Sequence, residues 1–349
     1  MGPSMRDVAA RAGVSPRTVS NVVNDVNYVA TATRERVQHA MQELGFRPNA
    51  AARSLRRGRS GLIALVVPEV DSPYYSAIAA ELSTVADEYE WSLLIEQTAG
   101  DPDRERRLLD GVRAQLVDGV VFSPWSLSAA DIGRRQDVAP LVLLGERGLE
   151  GVADRVVIDN VAAAASATAH LLSIGRRRIA AIGAKSLVGE DTTALRLRGY
   201  RKALRAAGVV RDANLELPVD ALHRADGAAA TARLLDSGAD VDALFCFTDQ
   251  LALGAMRMVL ERGLRIPRDI AIVGFDDIED GRYSTPSLTT ISPDKMAIAR
   301  QAARCLAERM DARSGVAVQP RTIIAEHRLV VRESTAGHGR RVRTTAIAT

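Results

Sequence analysis

Apolar positions along this chain fall into two registers. In the first 46 residues they recur with helical spacing. Val8, Ala9 and Ala12 make one small apolar face, and Val19, Val22 and Val23 make a second. Val37, Ala40, Met41 and Leu44 make a third, at i, i+3, i+4, i+7. Between the faces stand the residues that start and stop helices. Ser4 with Asp7 three residues on reads as a capping pair. Gly13 suits a sharp turn because it tolerates positive φ. Ser15 caps a second helix and Pro16 takes its first position, where a missing N–H costs nothing. A third helix follows over about 33–44. Two helices cannot enclose a core, but three can. Arg17, Ser20, Asn21 and Asn24 are left pointing outward from the second helix. That is the pattern of a helix-turn-helix presenting polar side chains to a major groove.

From Gly61 the register changes. Leu62–Val67 is a continuous apolar run, as expected for a strand buried on both faces of a parallel sheet. Strand–helix alternation then predicts helices near 75–89 and 104–115 and strands near 92–96, 119–122 and 141–144. This is one doubly wound lobe. A second lobe repeats the order, with helices near 161–173, 195–206, 227–235 and 250–262 and strands near 179–182, 243–247 and 270–273. A helix at 295–310 and a strand at about 323–331 end the pattern.

A chain of 349 residues is too long for one core, and 47% hydrophobic residues suffice to build several. The net charge of +3 hides an asymmetry. Residues 1–60 hold ten Arg against four acids, a net of +6, so the remainder carries −3. A basic head on a mildly acidic body fits a nucleic-acid contact confined to the N-terminus. Cys246 and Cys305 lie in apolar contexts, which argues for a reducing compartment without a disulfide framework. No stretch has membrane-spanning length and no signal-peptide core is present, so no membrane contact and a cytoplasmic location are expected. Nothing suggests an enzyme or a cofactor. No Gly-x-Gly-x-x-Gly follows the first strand, and the segment from Gly183 fails the Walker spacing. His39, His170, His223, His327 and His338 form no metal or nucleophile pattern.

Residues 47–60 are Arg- and Ala-rich and close on Gly58 and Gly61. A free helix of about eight residues is marginal, because nucleation is costly. Asn49 can cap one, and Arg53, Arg56 and Arg57 would meet phosphates.

The run Asp7-Val-Ala-x-x-Ala-Gly-Val-Ser-x-x-Thr-Val-Ser-x-Val-Val-Asn24 resembles the head of a LacI/GalR-family transcriptional regulator. So do Thr33-Arg-Glu-x-Val37, Leu44-Gly-Phe, Pro48-Asn49 and Ala52-Arg-Ser-Leu55. The resemblance continues to about residue 333. It implies an all-α helix-turn-helix head and two doubly wound parallel-sheet lobes of periplasmic-binding-protein-like architecture. The head spans 1–46, the hinge 47–60 and the core 61–333. The N-lobe takes about 61–160 and 292–321, and the C-lobe about 161–291 and 322–333. Three crossings are implied, near Asn160, Ile291 and Arg321. A basic, disordered tail spans 334–349. It lacks leucine heptads, which argues for a homodimer over a coiled-coil tetramer.

The resemblance also distributes roles. Double-stranded operator DNA is the implied partner, with Ser15, Pro16, Arg17, Thr18, Ser20, Asn21, Asn24 and Tyr28 as head contacts. Asn49, Arg53 and Leu55 are the hinge contacts, Leu55 wedging into the minor groove. Pro16 replaces the usual polar base-reading residue, so readout falls on Arg17 and Asn21, and Arg17 suits bidentate contact with guanine. Thr18, Ser20 and Asn24 would grip phosphates. Ala30 replaces the common Ser before the third helix, so either Thr31 caps it or it starts later. A small-molecule effector, most often a carbohydrate in this family, would occupy the cleft off the strand carboxyl ends. Strand-end reading gives Asp71, Tyr74, Tyr75, Trp125, Glu146 and Asp159 in the first half. Family matching gives Thr192, Arg196, Thr248 and Asp276 in the second, with Arg198 facing solvent and Asp249 capping a helix. Leu253, Met256 and Tyr283 are dimer-interface candidates, positions that suit lobe core equally well. The competing classes are a solute-binding protein without a DNA role and a nucleobase-responsive corepressor-type regulator.

Overall fold

A computed structural model describes residues 3–23, 28–46, 59–111, 116–135, 139–145, 150–184, 191–312 and 319–336. It divides into two compact units, one up to Ser60 and one from Gly61.

The first unit holds three helices: α1 (Met5–Ala12), α2 (Pro16–Val23) and α3 (Thr31–Leu44). Two of them are only eight residues long, too short to persist alone. They are held by a small core of Val8, Ala9, Ala12, Val19, Val22, Val37 and Ala40, all buried. Phe46, Met41 and Leu44 pack against its edge. The caps are those the residues foretell. The Ser4 amide donates to Asp7 Oδ2 at 2.7 Å, and the Asp7 amide returns a bond to Ser4 Oγ at 3.4 Å. Gly13 ends α1 at φ 64°. The Thr18 amide donates to Ser15 Oγ at 3.1 Å, with Pro16 opening α2. Helix α3 does begin at Thr31, yet no side chain caps it.

The second unit contains two six-stranded sheets. The N-lobe sheet uses β1 (Leu62–Val67), β2 (Ser92–Gln97), β3 (Gly119–Phe122), β4 (Leu141–Leu144), β5 (Asp154–Ile158) and β11 (Thr322–Ala325), in the order β11-β5-β4-β3-β1-β2, all parallel. The C-lobe sheet uses β6 (Ile179–Ile182), β7 (Glu216–Leu217), β8 (Ala243–Cys246), β9 (Ala271–Phe275), β10 (Thr289–Pro293) and β12 (His327–Val330), in the order β12-β10-β9-β8-β6-β7. The two orders are the same fold repeated, except that β12 runs antiparallel to β10. In each lobe the strand order reverses beside the first strand, between β1 and β3 and between β6 and β8. Such switch points open a crevice at the strand carboxyl ends.

Helices α4 (Pro73–Glu88), α5 (Pro102–Leu109), α6 (Ala129–Gly133) and α12 (Lys295–Ala312) serve the N-lobe. Helices α7 (Asn160–Ser173), α8 (Thr192–Ala206), α9 (Arg224–Asp236), α10 (Asp249–Glu261), α11 (Glu279–Tyr283) and α13 (Glu333–Ala336) serve the C-lobe. Helices α9 and α10 lie so close that a Cβ on Gly254 would sit 1.8 Å from the Arg224 carbonyl oxygen. Glycine permits that approach and sets α9 firmly beside α10.

The structure corrects two boundaries. The strand expected over about 323–331 is two strands in different sheets. β11 pairs with β5 and β12 with β10, so the third crossing falls at Glu326 and not near Arg321. Thr322–Ala325 and His327–Val330 are edge strands separated by Glu326 alone, and periodicity does not show which sheet each one joins. The tail also starts later than 334. Ser334 and Thr335 are buried in α13, where Ser334 Oγ donates to the Ile272 carbonyl at 2.7 Å.

Candidate functional site

On the head, Ser15, Pro16 and Arg17 are exposed at the start of α2. Thr18, Ser20 and Asn21 are half-buried along it, and Tyr28 is 74% exposed beyond it. Thr18 Oγ1 shares a hydrogen with Ser15 Oγ at 2.9 Å, so part of its capacity serves the cap. Arg11 donates to Glu43 at 2.9 Å, tying α1 to α3 at the surface. Asn24, Asn49, Arg53 and Leu55 lie outside the described residues, as does Glu146 of the effector set.

In the C-lobe, Arg196 is the centre of the site. Helix α8 carries it inward, 6% exposed, while Arg198 on the same helix faces solvent. Its Nε donates to Asn160 Oδ1 at 2.8 Å, and its Nη1 donates to the Phe247 carbonyl beyond β8. The guanidinium stacks 3.5 Å above the centre of the Phe275 ring. Asp276 Oδ1 stands 3.8 Å from Nη2. Burial pushes the Asp276 carboxyl up to about 6, against the opposing pull of Arg196 and Lys295. Asp276 and Asp277 hold positive φ, 116° and 50°, a conformation that costs non-glycine residues energy and clusters at ligand sites. The Asn160 Nδ2 amide is buried without a protein partner.

Asp249 departs from its expected role. Thr248 caps α10, its Oγ1 accepting from the Leu251 amide at 3.1 Å and donating to the Leu222 carbonyl at 3.2 Å. Asp249 is fully buried behind the site. It accepts from Thr290 Oγ1 at 2.6 Å and the Ile278 amide at 2.9 Å. Burial, then the neighbouring Asp276, drive its carboxyl well above the ordinary range. Asp159 is likewise a cap: it is exposed and accepts from the Ala162 amide at 2.8 Å. The adjacent Asn160 reaches Arg196 instead. Thr192 opens α8, half-buried, one turn before Arg196.

In the N-lobe, Tyr74 and Tyr75 meet edge to face, ring centres 5.3 Å apart. Tyr75 Oη bonds Ser123 Oγ at 3.1 Å, joining the carboxyl ends of β1 and β3 at the switch point. Trp125 is not brought to this pair. It lies against Gly100, and its backbone amide donates at 2.7 Å to Glu105, a fully buried carboxylate that also accepts from the amides of Ser126 and Leu127. Asp71 is exposed in the loop before α4. The lobes touch where Glu69, after β1, meets His223, before α9, at 3.0 Å.

Sequence reasoning missed Ser123, Phe275 and the Glu69–His223 contact, and took Asn160 only as a crossing point. A serine or asparagine at a strand end carries no distinctive pattern, so only the fold could select these. Of the dimer candidates, Met256 is 3% exposed and belongs to the lobe core, because its helical position faces the sheet. Leu253 is half-buried against that core, and Tyr283 is 80% exposed. A groove among the described residues lies elsewhere. It measures about 370 Å³ and lies on the N-lobe flank between α4 and β2, lined by Val70, Ala79, Ser83, Leu93 and Ile95 among others. No described helix is long and apolar enough to cross a membrane.

Comparison with known proteins adds a second line of support. Residues 4–49 match the family "Bacterial regulatory proteins, lacI family", and residues 168–335 match "Periplasmic binding protein-like domain". The transcriptional regulator CelR of Thermobifida fusca is 36% identical over 95% of this chain and 98% of its own length. Among solved structures, a LacI-family regulator from Sanguibacter keddieii is 46% identical, with TM-score 0.75 over 80% of this chain and 100% of that one. A CelR–cellobiose complex is 34% identical, with TM-score 0.68 over 95% and 99%. The lac repressor dimer bound to operator and the anti-inducer ONPF is 28% identical, with TM-score 0.78 over 96% and 99%. With a three-helix reading head, a twice-repeated doubly wound core and these relatives, the chain belongs to the LacI family and is a ligand-responsive DNA-binding transcriptional regulator, not an enzyme.

Proposed function

We propose that two copies of the chain grip a pseudo-palindromic operator and repress catabolic or transport genes in the cytoplasm, releasing or tightening as a polyhydroxylated ligand enters the cleft. The Arg196–Asn160–Asp276 cluster carries the reading. It offers a fixed cationic donor, an unpartnered amide donor and a carboxylate acceptor on an aromatic floor. Vicinal hydroxyls both donate and accept, so they satisfy all three, and charged hydrogen-bonding partners discriminate strongly. The Tyr74–Tyr75 pair supplies an apolar wall from the other lobe. The cellobiose of the related CelR complex belongs to the same chemical class.

Residues 1–46 form the head, 47–60 the hinge and the remainder the sensing core in this reading. Arg17, exposed at the start of α2, reads a guanine, and hinge residues including Leu55 pair across the dyad and bend its centre. The dimer face uses the apolar flank of the N-lobe, where Val70, Leu94 and Ile95 are 40–49% exposed beside the groove, together with Tyr283. Lobe rotation alters the spacing of the two hinges and so couples ligand to DNA.

Selection of duplexes from a randomised pool by the full-length protein tests the reading. Enrichment of a dyad-symmetric site supports it, and recovery of no preferred sequence contradicts it. A thermal-shift screen of sugars and nucleosides identifies the ligand, because a specific binder must raise the melting temperature. A nucleobase hit would favour the corepressor-type alternative.

A further inference from the structure

Among the described residues, Glu69 and His223 form an ion pair that bridges the two lobes. Glu69 follows β1 in the N-lobe, and His223 opens α9 in the C-lobe. Imidazole Nε2 lies 3.1 and 3.0 Å from the two Glu69 oxygens. The side chains are 45% and 21% exposed, so protons reach them freely. Two further acids stand near the imidazole besides Glu69. Asp226 Oδ2 lies 3.9 Å from Nδ1, and Asp71 adds its field from the N-lobe loop. The nearby cation Arg224 is turned away onto Asp280 and Gln250.

The backbone fixes the bridge on both sides. The His223 amide donates to Asp226 Oδ2 at 3.2 Å in the helix cap, and α9 is seated on α10 through Gly254. Opening the cleft must separate Glu69 from His223, because they belong to different lobes. A protonated imidazole leaves a carboxylate reluctantly, whereas a neutral one offers a single ordinary hydrogen bond.

We propose that Glu69 and His223 form a proton-operated latch, which holds the lobes closed when His223 is charged and loosens when it is neutral. The regulator then reports acidity together with its ligand, which goes beyond the effector reading and does not depend on which effector binds. The hydrogen bond to Glu69 first, and the fields of Glu69, Asp226 and Asp71, hold the imidazole above its ordinary range, while burial opposes them. A raised value means the closure is fully present below the ordinary histidine range and is lost as pH rises through the shifted value.

The test measures inter-lobe distance in the ligand-free, full-length protein. Spin labels are placed on Arg107→Cys in α5 and Lys202→Cys in α8, both exposed. The native Cys246 and Cys305 are buried and stay unlabelled. Dilution with unlabelled chains keeps each reported pair within one chain. Between pH 8.5 and 5.5 the ratio of closed to open distances should rise about two- to fivefold in the parent, the range expected of a half-exposed ion pair. Glu69→Gln and His223→Gln should each flatten that response. Asp276 titrates in the same window but is intact in both variants, so a response that it carries alone would survive in them. A flat parent, or a response retained in either variant, overturns the latch.

Discussion

The head and the sensing core solve opposite problems. In the proposed reading the head keeps its working side chains outside: Arg17 is exposed on α2 while seven small buried residues hold three helices behind it. In the same proposed reading the core buries its working side chains. Arg196 and Asp276 are 6% and 7% exposed, held by groups drawn from four elements scattered over more than 100 residues. A surface that reads DNA needs position but little desolvation, since phosphates and base edges remain hydrated. A pocket that selects a small polar molecule gains its discrimination by holding charged and polar groups in place away from water. The lesson is that the two regions should fail differently, the head by losing its caps and core, the cleft by losing one charge.

The largest expected effect is on the core. Gly254→Val places a side chain where a Cβ already meets the Arg224 carbonyl at 1.8 Å, so α9 must move off α10. A loss of about 3 kcal/mol or more in core unfolding is expected by calorimetry, as for other overpacked sites. The head transition should stay unchanged. Val19→Ala makes the converse test. Val19 is fully buried in the head, and removing two methyl groups should cost roughly 2 kcal/mol there. Circular dichroism should show the head melting earlier, with ligand-induced stabilisation of the core preserved.

The pH dependence sharpens the contrast. Burial pushes the Asp276 carboxyl up to about 6, and the ionised form is the much stronger acceptor of hydroxyl hydrogens. Ligand affinity should therefore be flat above pH 6 and fall toward tenfold per unit below it. Stability of the ligand-free core runs the other way. The folded value is raised, so the contribution is present below the unfolded range near 3.8 and lost as pH rises through 6. Isothermal titration across pH 5 to 8 checks the first, and denaturant melts the second. The smallest effect belongs to Ser4→Ala. It removes one member of the α1 capping box and should cost about 1 kcal/mol of head stability, read from the midpoint of its melt.

The same contrast explains what the sequence revealed. The head was legible almost residue by residue, because caps, turn glycine and apolar faces act within eight residues of one another. Ser4, Gly13 and Ser15 stand where their chemistry required. The lobes were legible as alternation, with β3, β4 and β6 bounded as periodicity placed them. What failed depended on contacts between distant segments. One apolar stretch split at Glu326 because its halves pair with different sheets. Asp159 and Asp249 looked like a ligand contact and a helix cap, and became a cap and a buried brace. Asn160 and Ser123 became site residues only when strand ends met.

In the proposed mechanism the cleft around Arg196 governs what the head does on DNA. The direct measurement is operator affinity by fluorescence anisotropy, using the selected duplex, with and without the ligand from the thermal-shift screen. It compares the parent with Arg196→Met. The parent should show at least about a tenfold ligand-dependent change in Kd, a typical coupling energy. Arg196→Met should show no ligand-dependent change, with a ligand-free Kd that matches the parent's. A variant that still answers the ligand like the parent would place control of the operator outside this cleft and overturn the proposed mechanism.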